Sequence, residues 1–252
     1  MALLNVDNLH KSFGGVAAVD DLTFSVAAGQ IKSIIGPNGA GKTTAFNLIS
    51  GVIKPDSGRV AFSGREFGNM KPHKRTRLGL ARTFQNTMLF DDMTVEENAV
   101  VATEAHLRLS VLAYLFRLPA VAKAEAKRRD SAGQALRIVG LDEKAKELAG
   151  NLPAGERRLL EIARALAAGP ELVLLDEPAA GLNNAETGHL KAAIKKIRDQ
   201  GITILLVEHD MGLVMEVSDE IVVLDQGVKI AEGPPLLIQE DERVIEAYLG
   251  SA

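Results

Sequence analysis

Residues 30 to 50 read QIKSIIGPNGAGKTTAFNLIS, an apolar run that meets a glycine-rich stretch and continues as a helical pattern. The spacing matches GxxxxGK[ST], and it constrains the fold more than anything else in the chain: a strand must end near Ile35 and a helix must open at Thr43. Gly36, Gly39 and Gly41 let consecutive backbone N–H groups curl around phosphate oxygens at a helix N-terminus. Lys42 then reaches the β- and γ-phosphates of a nucleotide, and the Thr43 hydroxyl is placed to ligate Mg²⁺. Pro37, Asn38, Ala40 and Thr44 complete the loop. A glycine-rich turn without a ligand is the plainer reading, but the strand before and the helix after favour a phosphate cradle.

Two further runs, LVLL at 172–175 and ITILLV at 202–207, are nearly all apolar. Such runs, separated by helical patterns, are expected of parallel strands buried on both faces, so the fold class is α/β. Leu159, Ile162, Ala163 and Leu166 share one helix face, as do Leu190, Ile194 and Ile197, and the first helix stops at Gly169-Pro170. VAFSG at 60–64 and IVVLDQGVKIAEG at 221–233, with a turn at Asp225-Gln226-Gly227, predict antiparallel strands flanking the parallel core. Residues 95–148 carry only helical patterns, including the charged run KAEAKRRD at 123–130. The expected organisation is one domain over 1–252, its core at 1–94 and 149–252 and an inserted helical lobe at 95–148 that continues into the helix from residue 156 onward.

Composition narrows the function. With 46% hydrophobic and 25% charged residues the chain has enough apolar material for a folded core, and a net charge of -4 argues against nucleic acid as a partner. The absence of cysteine excludes disulfides and thiolate metal sites and fits a reducing compartment. MALLNVDNLHKSF lacks the apolar core of a secretory signal, so a cytosolic location is expected. Leu109 to Phe116 is far shorter than the roughly 20 residues of a membrane span, so any membrane link runs through a partner.

Open α/β sheets bind ligands at the carboxyl ends of their strands. Asp176 and Glu177 follow LVLL there, and Glu208 and His209 follow ITILLV, which brings carboxylates and an imidazole to the phosphates. Asp176 suits Mg²⁺ held through water, and Glu177 suits a general base that orients and polarises the attacking water. Helix capping is the ordinary alternative for acids at strand ends, and packing is the ordinary role of a lone histidine.

Taken with Gln85 in ARTFQN, LPAGE at 152–156, LVLLDEP, AAGLN at 179–183 and VEHD at 207–210, these residues resemble an ATP-binding cassette ATPase over essentially the whole chain. That resemblance implies a P-loop NTPase with a parallel RecA-like core sheet, an antiparallel β subdomain and a helical subdomain. It implies ATP and Mg²⁺ as ligands, with Gln85 beside Thr43 and Asp176 at the metal and at the hinge of the helical lobe. Phe13 of KSFGG is implied to stack on adenine, with core packing as the plainer reading. Lys42, Glu177 and the switch residue His209 are the implied catalytic set. Two cassettes, identical or related, face head to tail on two membrane permeases at the inner face of the cell membrane, served by a periplasmic or extracellular solute-binding protein. ARTFQN, the long lobe, DEPAAGLN, VEHDM and the ending VIEAYLG look most like the ATPases of branched-chain amino-acid importers. Cassettes of lipopolysaccharide export are the nearer rival; a non-transport cassette or a catalytically silent module is the more distant one.

LSVLAYLF at 109–116 is either a permease-binding groove or a core helix of the lobe, and KPHKR at 71–75 and KRR at 127–129 are expected to be solvated faces. The signature that is usually LSGGQ reads Leu152, Pro153, Ala154, Gly155, Glu156. By the resemblance it faces the ATP of the partner cassette. Pro153 removes one hydroxyl and one N–H, whereas the Gly155 N–H and the positive end of the following helix remain. Asn183 and Glu186 have the spacing of a helix-capping pair.

Overall fold

The structure, a computed structural model, describes residues 2–83, 88–103 and 119–249. Strands β1 (Ala2–Phe13) and β2 (Val16–Ala27) form an antiparallel hairpin, and β3 (Ile31–Ile35) leads through the glycine-rich loop into α1 (Lys42–Ser50). Next come β4 (Ser57–Phe62), β5 (Arg65–Glu66), the short α2 (Pro72–Thr76) and β6 (Leu80–Arg82). Helices α3 (Val95–Ala102), α4 (Pro119–Val139) and α5 (Ala154–Ala167) follow. The chain then alternates β7 (Leu172–Asp176), α6 (Asn184–Asp199), β8 (Thr203–Val207), α7 (Met211–Val217), β9 (Glu220–Asp225) and β10 (Val228–Gly233) before α8 (Pro235–Glu240) and α9 (Glu242–Leu249).

One six-stranded sheet runs in the order β10-β9-β3-β8-β7-β6, parallel except at the β10 edge, and a four-stranded antiparallel sheet runs β2-β1-β4-β5. Every residue of β3, β7 and β8 is buried, and alternation along the strands explains why. Val173, Leu175, Ile204 and Leu206 belong to a core shared with α3, α4, α5 and α6. Leu172, Leu174, Leu205 and Val207 belong to a second core built with α1 and the antiparallel sheet. β7 and β8 present leucine, isoleucine and valine on both faces because each face has its own core to fill.

Leu159, Ile162, Ala163 and Leu166 of α5 and Leu190, Ile194 and Ile197 of α6 bury against the first core, as their spacing predicts. Each fully buried Leu or Ile contributes about 1.5–3 kcal/mol relative to exposure. A smaller cluster joins Ile35 and Val223 to Val214 of α7, Ile238 of α8 and Val244 of α9. In the hairpin of β9 and β10, Asp225 pairs with Val228 and leaves Gln226 and Gly227 as the turn.

One expectation about surface charge is corrected. Lys71, His73 and Lys74 are exposed, but Arg75 of the same basic run is 2% exposed. Its guanidinium donates to the carbonyls of Leu48 (3.0 Å), Ile49 (2.5 Å), Met70 (3.0 Å) and Gly68 (3.3 Å), so it serves carbonyls in the last turn of α1. Burial lowers its pKa to about 10. In the second run Lys127 and Arg129 are exposed, while Arg128 is half-buried and donates to Thr103 Oγ1 at 3.1 Å. LSVLAYLF lies outside the described residues. Among the described residues no helix is long and apolar enough to cross a membrane.

Candidate functional site

The loop between β3 and α1 is shaped by close approach of backbone. Gly36 has φ 151° and Gly41 has φ 96°, and an added Cβ would lie 2.0 Å from the Leu224 carbonyl oxygen at the first and 2.2 Å from that of Ala18 at the second. Only glycine fits either place. Lys42 opens α1, is 5% exposed, and donates from Nζ to the carbonyls of Gly36 (2.8 Å) and Pro37 (2.9 Å). Burial lowers its pKa, and the neighbouring Glu177 carboxylate acts in the opposite sense. A cleft of about 230 Å³ is lined by Ala18, Asn38, Gly39, Ala40, Gly41, Lys42, Thr43, Thr44, Glu177 and His209. Residues from three strand ends therefore converge on one concave site, as the sheet rule requires.

Glu177 leaves β7 with a left-handed backbone, φ 46°, and its N–H donates to the Val207 carbonyl at 2.9 Å. Strain of this kind persists where neighbours hold it, and here it turns the carboxylate towards His209, whose Nε2 lies 2.9 Å from Glu177 Oε1. Glu208 takes a different part. It is 3% exposed and accepts the N–H groups of Ala179 (2.6 Å), His209 (2.8 Å) and Asp210 (3.3 Å), so one carboxylate clamps the loop after β7 to the loop after β8. Burial pushes its pKa up, and the three N–H donors pull it back.

Asp176 is buried and does not line the cleft. Its Oδ2 accepts from Arg82 at 2.9 Å, and its N–H donates to Thr83 Oγ1 at 3.4 Å. Arg82 also donates to Asn47 Oδ1 (2.8 Å) and Ser50 Oγ (2.6 Å), which ties the end of β7 to α1. Neither Arg82 nor Glu208 was singled out by the sequence for these bracing roles. The only signals were position: Arg82 begins RTFQ, and Glu208 precedes the histidine.

Phe13 ends β1, is 50% exposed rather than core, and has the Lys11 ammonium 5.4 Å from its ring centroid; it does not line the cleft. Gln85 lies outside the described residues. Leu152 is buried, Pro153 is the N-cap of α5 without a side-chain cap, and the helix begins at Ala154, two residues earlier than expected. Glu156 is held by Lys144 at 2.6 Å, and none of residues 152–156 lines the cleft. The Asn183–Glu186 capping box is formed: Asn183 Oδ1 accepts from the N–H of Ala185 and Glu186, and Glu186 Oε2 accepts from the Asn183 N–H at 3.0 Å. Among the described residues no three acidic or imidazole side chains group as a metal cage. Mg²⁺ asks for less, since it keeps several waters and binds through one or two protein oxygens plus phosphate. Thr43 in the cleft wall offers one such oxygen, whereas Asp176 at the end of β7 lies outside the lining and accepts from Arg82.

A family model described as "ABC transporter" matches residues 19–180, and one described as "Branched-chain amino acid ATP-binding cassette transporter" matches residues 228–252. The high-affinity branched-chain amino acid transport ATP-binding protein BraF of Pseudomonas aeruginosa is 46% identical over 251 residues, covering 99% of this chain and 98% of that protein. LivG of Escherichia coli, described in the same words, is 43% identical over 251 residues with the same coverage. A solved ATP-binding cassette of an ABC transporter in its ADP conformation matches with a TM-score of 0.86 at 33% identity, each chain covering 100% of the other. This chain belongs to the ATP-binding cassette transporter family, as an ATP-binding subunit that hydrolyses ATP.

Proposed function

We propose that the chain powers uptake of branched-chain amino acids. It works head to tail with a second cassette, itself or a related ATPase, on two membrane permeases fed by an external solute-binding protein. The permeases hold it at the cytoplasmic face of the membrane. Support for the solute comes from the relatives BraF and LivG and from the C-terminal match at 228–252, which favours this reading over lipopolysaccharide export.

The observation that carries the catalytic reading is the 2.9 Å contact between His209 Nε2 and Glu177 Oε1 in a cleft walled by the Lys42 loop. Lys42 offsets phosphate charge, and the loop N–H groups cradle the phosphate oxygens. Glu177 accepts the proton of the attacking water, and His209 holds that carboxylate in register. Thr43, Asp176 and Gln85 are the residues that would hold Mg²⁺, which supplies charge neutralisation at the β- and γ-phosphates. Phe13, exposed at the end of β1, supplies a face for adenine. Pro153, Ala154, Gly155 and Glu156 face the nucleotide of the opposite cassette.

The test is transport in proteoliposomes containing the chain with its co-purified membrane partners and solute-binding protein. Leucine, isoleucine or valine should accumulate with ATP and not without it. ATP-driven movement of another solute, with these three ignored, would replace the assigned cargo.

A further inference from the structure

The Gly155 N–H, which the preceding reading turns towards the nucleotide of the opposite cassette, is already taken within the chain. It donates to Glu186 Oε1 at 3.1 Å, while the other oxygen of that carboxylate accepts the Asn183 N–H at 3.0 Å. The contact is close-fitted. Gly155 is buried, and an added Cβ would lie 2.7 Å from Glu186 Cγ and 2.8 Å from Oε1, so glycine at 155 is what lets the carboxylate in. Pro153 stands at the N-cap of α5 with no side-chain cap, and Glu186 supplies from another helix the anion that a capping side chain would have given.

From this geometry we infer that Glu186 is a positioning residue for the ATPase cycle: its carboxylate holds the phosphate's place at the signature and must leave before the two cassettes close on ATP. An amide N–H offers one hydrogen, and a carboxylate and a γ-phosphate at the same donor repel each other. The occupied state also fixes a relationship between motifs. One side chain ties the loop preceding α6, through Asn183, to the first turn of α5, so arrival of phosphate at Gly155 releases the segment that starts at Asn183. After release, Asn183 still caps α6 through its own Oδ1, so the helix survives the switch.

The inference rests on the head-to-tail reading above, and the experiment separates the two. The Glu177→Gln chain, which retains ATP, is titrated with ATP while self-association is followed by sedimentation; Glu186→Gln is then added to it. Glutamine keeps an oxygen for the Asn183 N–H but loses the charge that competes at Gly155. The ATP concentration for half-association should fall at least about fivefold, the difference between a charged and a neutral hydrogen bond. Gly155 amide exchange in the nucleotide-free chain should at the same time quicken at least about tenfold. Half-association unchanged or shifted upwards would overturn the placeholder and leave Glu186 as a cap alone. Failure of the Glu177→Gln parent to associate in ATP, either with itself or with the cassette co-purified from its membrane complex, would sink the head-to-tail reading, and the placeholder with it. If Glu186→Gln does not fold, the exchange of the Gly155 amide in the parent still decides: protection without nucleotide supports the contact, and exchange at the rate of an exposed amide refutes it.

Discussion

Lys42 and Arg82 both meet the strand ends at the nucleotide cleft, yet only the first could be read from its neighbours in sequence. Lys42 belongs to a motif whose parts are contiguous, so local spacing carries its chemistry. Arg82 acquires its role from Asp176, 94 positions away, and from Asn47 and Ser50 on α1. Glu208 and Glu186 are alike in this respect, since their partners sit on other loops and helices. Pairing across the fold leaves no spacing to find. The Arg82–Asp176 pair is almost fully buried, with side chains 10% and 6% exposed, so breaking it strands a carboxylate. Arg82→Met should therefore lower stability by about 3 kcal/mol, read as the shift in urea midpoint at constant slope. A shift no larger than that of a surface substitution would remove Arg82 as the brace of Asp176.

The nearly continuous apolar runs of β7 and β8 were legible because burial on both faces leaves few polar positions to blur the pattern, whereas β3, interrupted by buried Lys32 and Ser33, was legible from the glycine-rich motif that follows it. The twelve-residue β1 and β2 were not, since one is interrupted by Asp7, Asn8 and His10 and their pairing contains register shifts. Arg75 escaped for a related reason: three neighbouring polar groups are solvated, and the one that caps α1 looks the same in sequence. Between α6 and α7 a surface bridge makes a prediction about acid. Glu216 accepts from Lys191 at 2.8 Å and from Lys195 at 2.9 Å, and these hydrogen bonds lower its pKa from 4.5 to about 2. A depressed folded-state value stabilises the fold above the unfolded value and loses that contribution as pH falls through the folded one. The stability difference between parent and Glu216→Gln should thus be constant above pH 4.5 and shrink between 4.5 and about 2. A difference independent of pH over that window would mean the lysines do not hold the carboxylate in solution.

At the scale of the whole molecule, two cores on opposite faces of one sheet fix the strand ends, and the loops leaving those ends carry the chemistry. The Glu208 clamp joins the loops after β7 and β8, so Glu177 and His209 form one unit. The sequence announced which motifs would converge, because a parallel sheet places successive strand ends together. It did not announce the clamp that aligns them. The central claim is that this cleft hydrolyses ATP with Glu177 as the base, and the most direct measurement is ATP affinity and single-turnover hydrolysis of Glu177→Gln. Affinity should stay within about threefold of the parent while the hydrolysis rate falls by about 100-fold or more. Hydrolysis within a few-fold of the parent would contradict the assignment of Glu177.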